Sequence, residues 1–165
     1  MNAQAHYNYD VFVSHSPADQ GWVRAELLPR LEQAGLSVFV DYRDFELGVP
    51  KLVNIERAVK LSRKILIVLT PSWVASEWAN FDALLVQTSD PAGQMRRMVP
   101  LLLELCAPPE RIALLTHADF TQPTRRAAEM TRLLHALGTQ SRIFISLGAR
   151  SACRVAGSSA IRCSI

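Results

Sequence analysis

Only three cysteines occur in the 165 residues, Cys106, Cys153 and Cys163, an odd number without CxxC or metal-ligand spacing. No disulfide framework or metal site is expected, and the usage fits a reducing compartment. No apolar run approaches the roughly 20 residues that cross a bilayer. The opening MNAQAHYNYD also lacks the basic-then-apolar pattern of a secretion signal. A cytoplasmic protein with no membrane partner is therefore expected. There is no GxGxxG after the first apolar run, no phosphate-binding GxxxxGK motif and no GxSxG elbow. The usual dinucleotide fold, the nucleoside triphosphatases and the α/β-hydrolases are thereby set aside.

What charge there is lies unevenly. The net charge is +3, yet residues 141–165 hold Arg142, Arg150, Arg154 and Arg162 and no acid. The other 14 basic side chains face all 15 acidic ones in residues 1–140, so the body is slightly acidic. No basic stripe interleaved with aromatics marks the body, and nucleic-acid binding by it is not expected. Residues 1–140 read as one domain. Residues 141–165, with six serines, four arginines and two cysteines, read as a poorly packed tail.

Along the body, apolar runs alternate with helical patterns. YDVFV (9–13) reads as a strand, and Ser16, Pro17 and Asp19 then resemble a capping box opening a helix to about residue 34. Gly35 stops that helix, LSVFVD (36–41) is a second strand, and 42–50 reads as a long polar loop. Leu52, Ile55 and Val59 mark a helix ending near Ser62. KILIVLT (64–70) is the most apolar run and the expected central strand, buried on both faces. A helix through Trp78, Phe81 and Leu85 follows, then a strand MVPLLLEL (98–105), a short edge strand RIALL (111–115) and a closing helix over 123–137. Alternation of this kind predicts a doubly wound α/β sheet with right-handed crossovers. Its ligands should bind outside the carboxyl ends of the strands, where the connections after Val13, Asp41 and Thr70 form a rim.

Three stretches in order, YDVFVSHSPAD (9–19), VFVDYRDFELGVP (38–50) and LTPSWVASEWANFDALL (69–85), resemble the TIR domain family over about residues 8–137. The resemblance is to a stand-alone or truncated member of the bacterial type, and it implies an α/β fold, a flavodoxin-like doubly wound sheet of about five parallel strands flanked by helices. It implies signalling or defence, including innate immunity and antiphage defence, by one of two routes. One is cleavage of NAD+, as substrate and not cofactor, at its nicotinamide glycosidic bond. The other is non-catalytic assembly through TIR–TIR contacts.

Bond cleavage of this kind passes through an oxocarbenium-like state that a carboxylate favours. The family places Glu four residues after the tryptophan; here that position holds Asp82, one methylene shorter, and Glu77 points about 100° away from Trp78 around a helix. The resemblance implies Asp82 as the catalytic carboxylate, with Trp78 and Phe45 as pocket walls and Ser14 and Arg43 as nucleotide contacts. It also implies an interaction loop of Arg43, Asp44, Phe45, Glu46, Leu47, Gly48, Val49 and Pro50. Plainer readings stand beside these: Trp78 as core, Phe45 folded back on its own domain, Gly48 as a turn, and Asp41, Arg43 and Asp44 as a solvated charged corner; His15, outside any nucleophile motif, reads as a loop residue. A phosphoacceptor receiver domain would share the architecture, but it needs aspartates at the strand ends, and Asp10 stands at a strand start.

Overall fold

A strand whose every side chain is apolar must be covered on both faces, and residues 65–69 meet that demand: all five are at most 2% exposed. The computed structural model describes residues 7–76 and 96–138. Within them lie β1 (Tyr9–Ser14), β2 (Val38–Val40), β3 (Ser62–Leu69), β4 (Met98–Leu102) and β5 (Ala118–Asp119). They form one all-parallel sheet in the order β2-β1-β3-β4-β5, with β3 at its centre.

Alternation along the strands divides the core. Val11, Val13, Leu66, Val68 and Leu101 pack on one face beneath Leu27, Leu31 and Leu133. Phe12, Phe39, Ile65, Ile67 and Leu69 pack on the other with Ile55, Val59, Trp73 and Ile112. Helix α1 (residues 17–33) and the closing helix α6 (η turn Pro123–Arg125 and Arg126–Leu137) cover the first face. Helix α3 (Lys51–Leu61) and the turns α4 (Pro71–Val74) and α5 (Glu110–Ala113) cover the second.

Helix α1 is not uniform. It opens as a 3-10 turn at Pro17–Asp19 and passes through a π segment at Val23–Leu27 before Leu28–Gln33. Pro29 has no N–H to donate to the preceding turn, and the ladder adjusts one residue earlier, where the Leu28 N–H reaches Val23 O. The expected capping box is half present: Ser16 Oγ accepts from the Ala18 N–H at 3.3 Å, but the Asp19 carboxylate goes elsewhere.

Two expectations need correction. The loop expected over 42–50 begins with a helical turn, α2 (Asp41–Asp44), closed by Asp44 Oδ2 accepting from the Val40 N–H at 2.8 Å. Residues 111–115 are not an edge strand. Four of their neighbourhood form α5, which buries Ile112 and leaves Leu114 87% exposed, and the edge is β5 instead. The reason is topological. A strand parallel to β4 needs a return of a dozen or so residues to the other end of the sheet, and 103–117 is spent on it. The helix expected through 77–85 and the tail 141–165 lie outside the described residues. Among the described residues no helix is long and apolar enough to cross a membrane.

Truncating Ile67 to Ala in the doubly covered strand is expected to lower stability by about 2–5 kcal/mol, whereas Leu114→Ala should change it by no more than about 0.5 kcal/mol. Urea denaturation followed by circular dichroism measures both, and equal losses would contradict this burial pattern.

Candidate functional site

Thr70 ends the central strand and begins the site. Its Oγ1 accepts the Trp73 N–H at 3.1 Å, capping α4, and donates to Asp19 Oδ2 at 2.7 Å, 51 positions away in the chain. The cap turns Trp73 under the sheet, where its indole Nε1 donates to Ser14 Oγ at 3.2 Å. The connections after β1 and β3 are thus stitched together by two buried hydrogen bonds. Between them and the connection after β2 opens a cavity of about 360 Å³ at the carboxyl ends of β1, β2 and β3.

Among the described residues its walls come from four places. The end of β1 supplies Ser14, His15, Ser16 and Pro17; the β2 connection supplies Asp41 and Phe45; α3 supplies Lys51 and Ile55; and the end of β3 supplies Trp73, Ala75 and Ser76. Concave, mainly apolar surfaces with a few convergent polar groups are typical of small-molecule sites. Among the described residues, the charged or titratable lining groups are His15, Asp41 and Lys51.

Of the sequence-based assignments, Ser14 and Phe45 line the cavity together. Phe45 also packs on Phe39 at 6.1 Å between ring centroids, so its folded-back reading and its pocket-wall reading describe one position. Arg43 is placed elsewhere. It pairs with Glu32 at 2.9 Å and Asp44 at 3.1 Å, and it donates to the Val38 carbonyl. The Asp44 hydrogen bond, with Glu32 adding to it, raises the Arg43 pKa above its ordinary value. Trp78 and Asp82 lie outside the described residues.

In the interaction loop, Asn54 of α3 is buried beneath the backbone. Its Oδ1 accepts the Glu46 N–H, and its Nδ2 donates to the carbonyls of Glu46 and Val49. Glu46 also pairs with Arg57 at 2.8 Å. Gly48 turns the chain at φ +80°, in the left-handed region that side chains with Cβ resist. Pro50 immediately precedes α3, and Leu47 points outward, 97% exposed.

Sequence reasoning missed Trp73, Asn54 and His15. Thr70-Pro71 at a strand end was a legible cap signal for the first, and a polar residue beside Ile55 on an apolar stripe was a faint one for the second. His15 was read as a loop residue; it does follow β1 outside regular structure, but its side chain is 1% exposed and faces Asp41. The receiver-domain alternative finds no support: Asp10, at the opposite end of β1, binds Ser37 N and Oγ at 2.8 Å each. Among the described residues no group of three metal-ligating side chains forms.

With the geometry in place, comparison with known proteins is informative. The TIR domain family model matches residues 11–134. Toll-like receptor 13 of Mus musculus is 41% identical over 80 residues, 47% of this chain and 8% of the receptor. Toll-like receptor 1 of Homo sapiens is 35% identical over 79 residues, 48% and 10% respectively. The matched stretch therefore spans about a tenth of those receptors. The TIR domain of the Toll-related receptor TRR-2 from Hydra magnipapillata superposes with a TM-score of 0.64 at 25% identity, over 78% of this chain and 98% of that one. A metazoan TIR-STING receptor from C. gigas, in complex with 2',3'-cGAMP, gives 0.66 at 25% identity, over 79% and 40%.

Replacing Ser14 by Ala strands the Trp73 indole N–H in the core. Stability is expected to fall by about 1–3 kcal/mol, the penalty of an unpaired buried donor. Chemical denaturation measures it, and an unchanged midpoint would remove the stitch from the account.

Proposed function

The chain belongs to the TIR domain family of signalling modules, and from that premise we propose that its cavity binds NAD+ and that the domain cleaves the nicotinamide glycosidic bond. The observation that carries this reading is the cavity itself. It is concave and already held open by the Ser14–Trp73 and Asp19–Thr70 hydrogen bonds. Aromatic walls at Phe45 and Trp73 suit a planar base, and Ser14, Ser16, Asp41 and Lys51 offer donors and acceptors for ribose and phosphate oxygens. A pre-formed pocket of this kind serves a small molecule better than a flat protein partner does.

In this reading Asp82 supplies the negative charge that favours the oxocarbenium-like state as the C1′–N bond breaks. Nicotinamide leaves with the bonding electron pair, which neutralises its ring. Water then adds to C1′ and loses a proton, giving ADP-ribose; capture of C1′ by a group of the same molecule gives a cyclic product instead. Asp in place of Glu shortens the reach by a methylene, and a displacement of about 1 Å can lower a rate on the order of a hundredfold. Slow turnover is expected.

A second reading, assembly through TIR–TIR contacts without catalysis, draws on Leu47. A fully exposed leucine on a loop anchored by Asn54 is a fixed apolar knob, as an interface with another copy would use. The two readings share the domain and differ at Asp82.

Purified protein incubated with NAD+ at self-associating concentration, with nicotinamide release followed by chromatography, discriminates them. Slow release by the wild type is expected, with a drop of about a hundredfold or more in Asp82→Ala and equal or faster turnover in Asp82→Glu. An inert wild type beside an active Asp82→Glu would make the natural protein a silenced scaffold. Turnover that survives Asp82→Ala would defeat the assignment of that residue.

A further inference from the structure

Asp41 is the one carboxylate among the described residues that line the cavity, and the fold treats its two oxygens differently. Oδ1 accepts the Tyr42 N–H at 2.7 Å. His15 Nε2 stands 3.5 Å from the same oxygen and is itself enclosed, so the imidazole fills that side of the carboxylate and offers nothing to a ligand. Among the described residues no donor reaches Oδ2, and the side chain is 24% exposed.

The carboxylate is also fixed in place. Asp44 Oδ2 accepts the Val40 N–H, Arg43 donates to the Val38 carbonyl, and Arg43 pairs with Glu32, so the turn that starts at Asp41 is tied both to β2 and to α1. Meeting an acceptor held in this way costs a ligand little ordering of the protein.

The other polar side chains of the wall have different parts to play. Ser14 Oγ accepts the Trp73 indole N–H, Ser16 Oγ accepts the Ala18 N–H, Ser76 Oγ donates to the Trp73 carbonyl, and Lys51 is a donor. An ionised carboxylate only accepts, so a ligand group that meets Oδ2 must donate a hydrogen bond and carry no negative charge. A phosphate fails on both counts and a ribose hydroxyl meets both. Position narrows the choice further. The Phe45 N–H is bonded to the Asp41 carbonyl at 3.1 Å, so the aromatic wall and the carboxylate lie one helical turn apart, and in a nucleotide the sugar is joined directly to the base that such a wall stacks.

We propose that Asp41 is the ribose-binding carboxylate of this cavity, its Oδ2 accepting a hydrogen bond from a hydroxyl of one ribose of the dinucleotide while Oδ1 stays on the Tyr42 N–H. The assignment rests on the NAD+ reading for the identity of the ligand and gives Asp41 no part in breaking the glycosidic bond. It also makes Asp41→Asn an informative variant. The Tyr42 N–H needs an acceptor, so the amide oxygen takes the place of Oδ1 and the NH2 group that of Oδ2. The cavity then meets an uncharged donor where it had a charged acceptor.

The test measures binding by calorimetry in the cold, before turnover accumulates, for NAD+ and for two analogues, one with a 2′,3′-dideoxyribose on the adenine side and one with it on the nicotinamide side. In the wild type at least one analogue is expected to bind about tenfold or more weaker than NAD+, the loss of a hydrogen bond to a charged group. In Asp41→Ala that penalty should vanish for one analogue, which names the ribose. In Asp41→Asn, whose amide still donates to a hydroxyl, it should shrink to about threefold. Near-UV circular dichroism matching the wild type checks that both variants are folded. Penalties of the same size in wild type and variants, or no penalty for either analogue in the wild type, overturn the assignment. Coupling at Asp41 in a protein that never releases nicotinamide upholds the ribose site and removes the cleavage reading alone. Nicotinamide release without that coupling removes the ribose site and leaves cleavage standing.

Discussion

The hydroxyl of Thr70 is the constraint on which the site depends. It follows the central strand, whose residues 65–69 are buried, and it accepts from one connection while donating to another. Through the first bond it starts the turn that presents Trp73. Through the second it holds the buried carboxylate of Asp19, which would otherwise lie enclosed with no donor, an expensive arrangement. Trp73 then reaches Ser14, so the positions of two walls follow from one atom at the end of β3. Neither wall could shift without breaking a buried polar contact.

The sheet was legible in the sequence because its physics is periodic. An apolar run such as KILIVLT can be solvated on neither face, and that alone predicts a parallel centre with helices on both sides. Gly35 and Pro17 punctuated the first helix for local backbone reasons, and both act as expected, with Gly35 at φ +82°. What failed was what depends on distance. Residues 111–115 look like a strand to any local measure, and only the length of the return from β4 to β5 forbids it. The π segment of α1 was also hidden: Pro29 is visible in the sequence, but whether a helix ends, kinks or absorbs it is settled by the packing of Leu27, Leu28 and Leu31 on the sheet.

The site shows the same division. Ser14 and Phe45 were named through the family resemblance, and both line the cavity. Arg43, two residues from Phe45, was read as a ligand contact, but Glu32 and Asp44 hold it on another face. A short helical turn explains the difference, since Asp41–Asp44 rotates successive side chains by about 100°, where a loop would leave their directions free. The burial of His15 and the loop contacts of Asn54 were not legible, because what defines each is a partner or surroundings that only the fold supplies.

The cavity therefore has one wall built on the central strand and one built on the connection after β2. Thr70, Trp73 and Ser14 set one wall through buried hydrogen bonds, while the 41–50 connection that forms the other is held by Asp44 and Arg43 at its start and by Asn54 further along. That connection presents Phe45 inward and Leu47 outward, two residues apart on a segment anchored as a unit. In the proposed function, any ligand that prefers one setting of Phe45 must also bias the setting of Leu47, and a partner resting on Leu47 must bias the cavity to the same degree, because coupling between two binding events is reciprocal. Binding and assembly then cease to be rival uses of this domain. They become the two faces of one short segment, and the strength of their coupling is bounded by how firmly its two anchors hold.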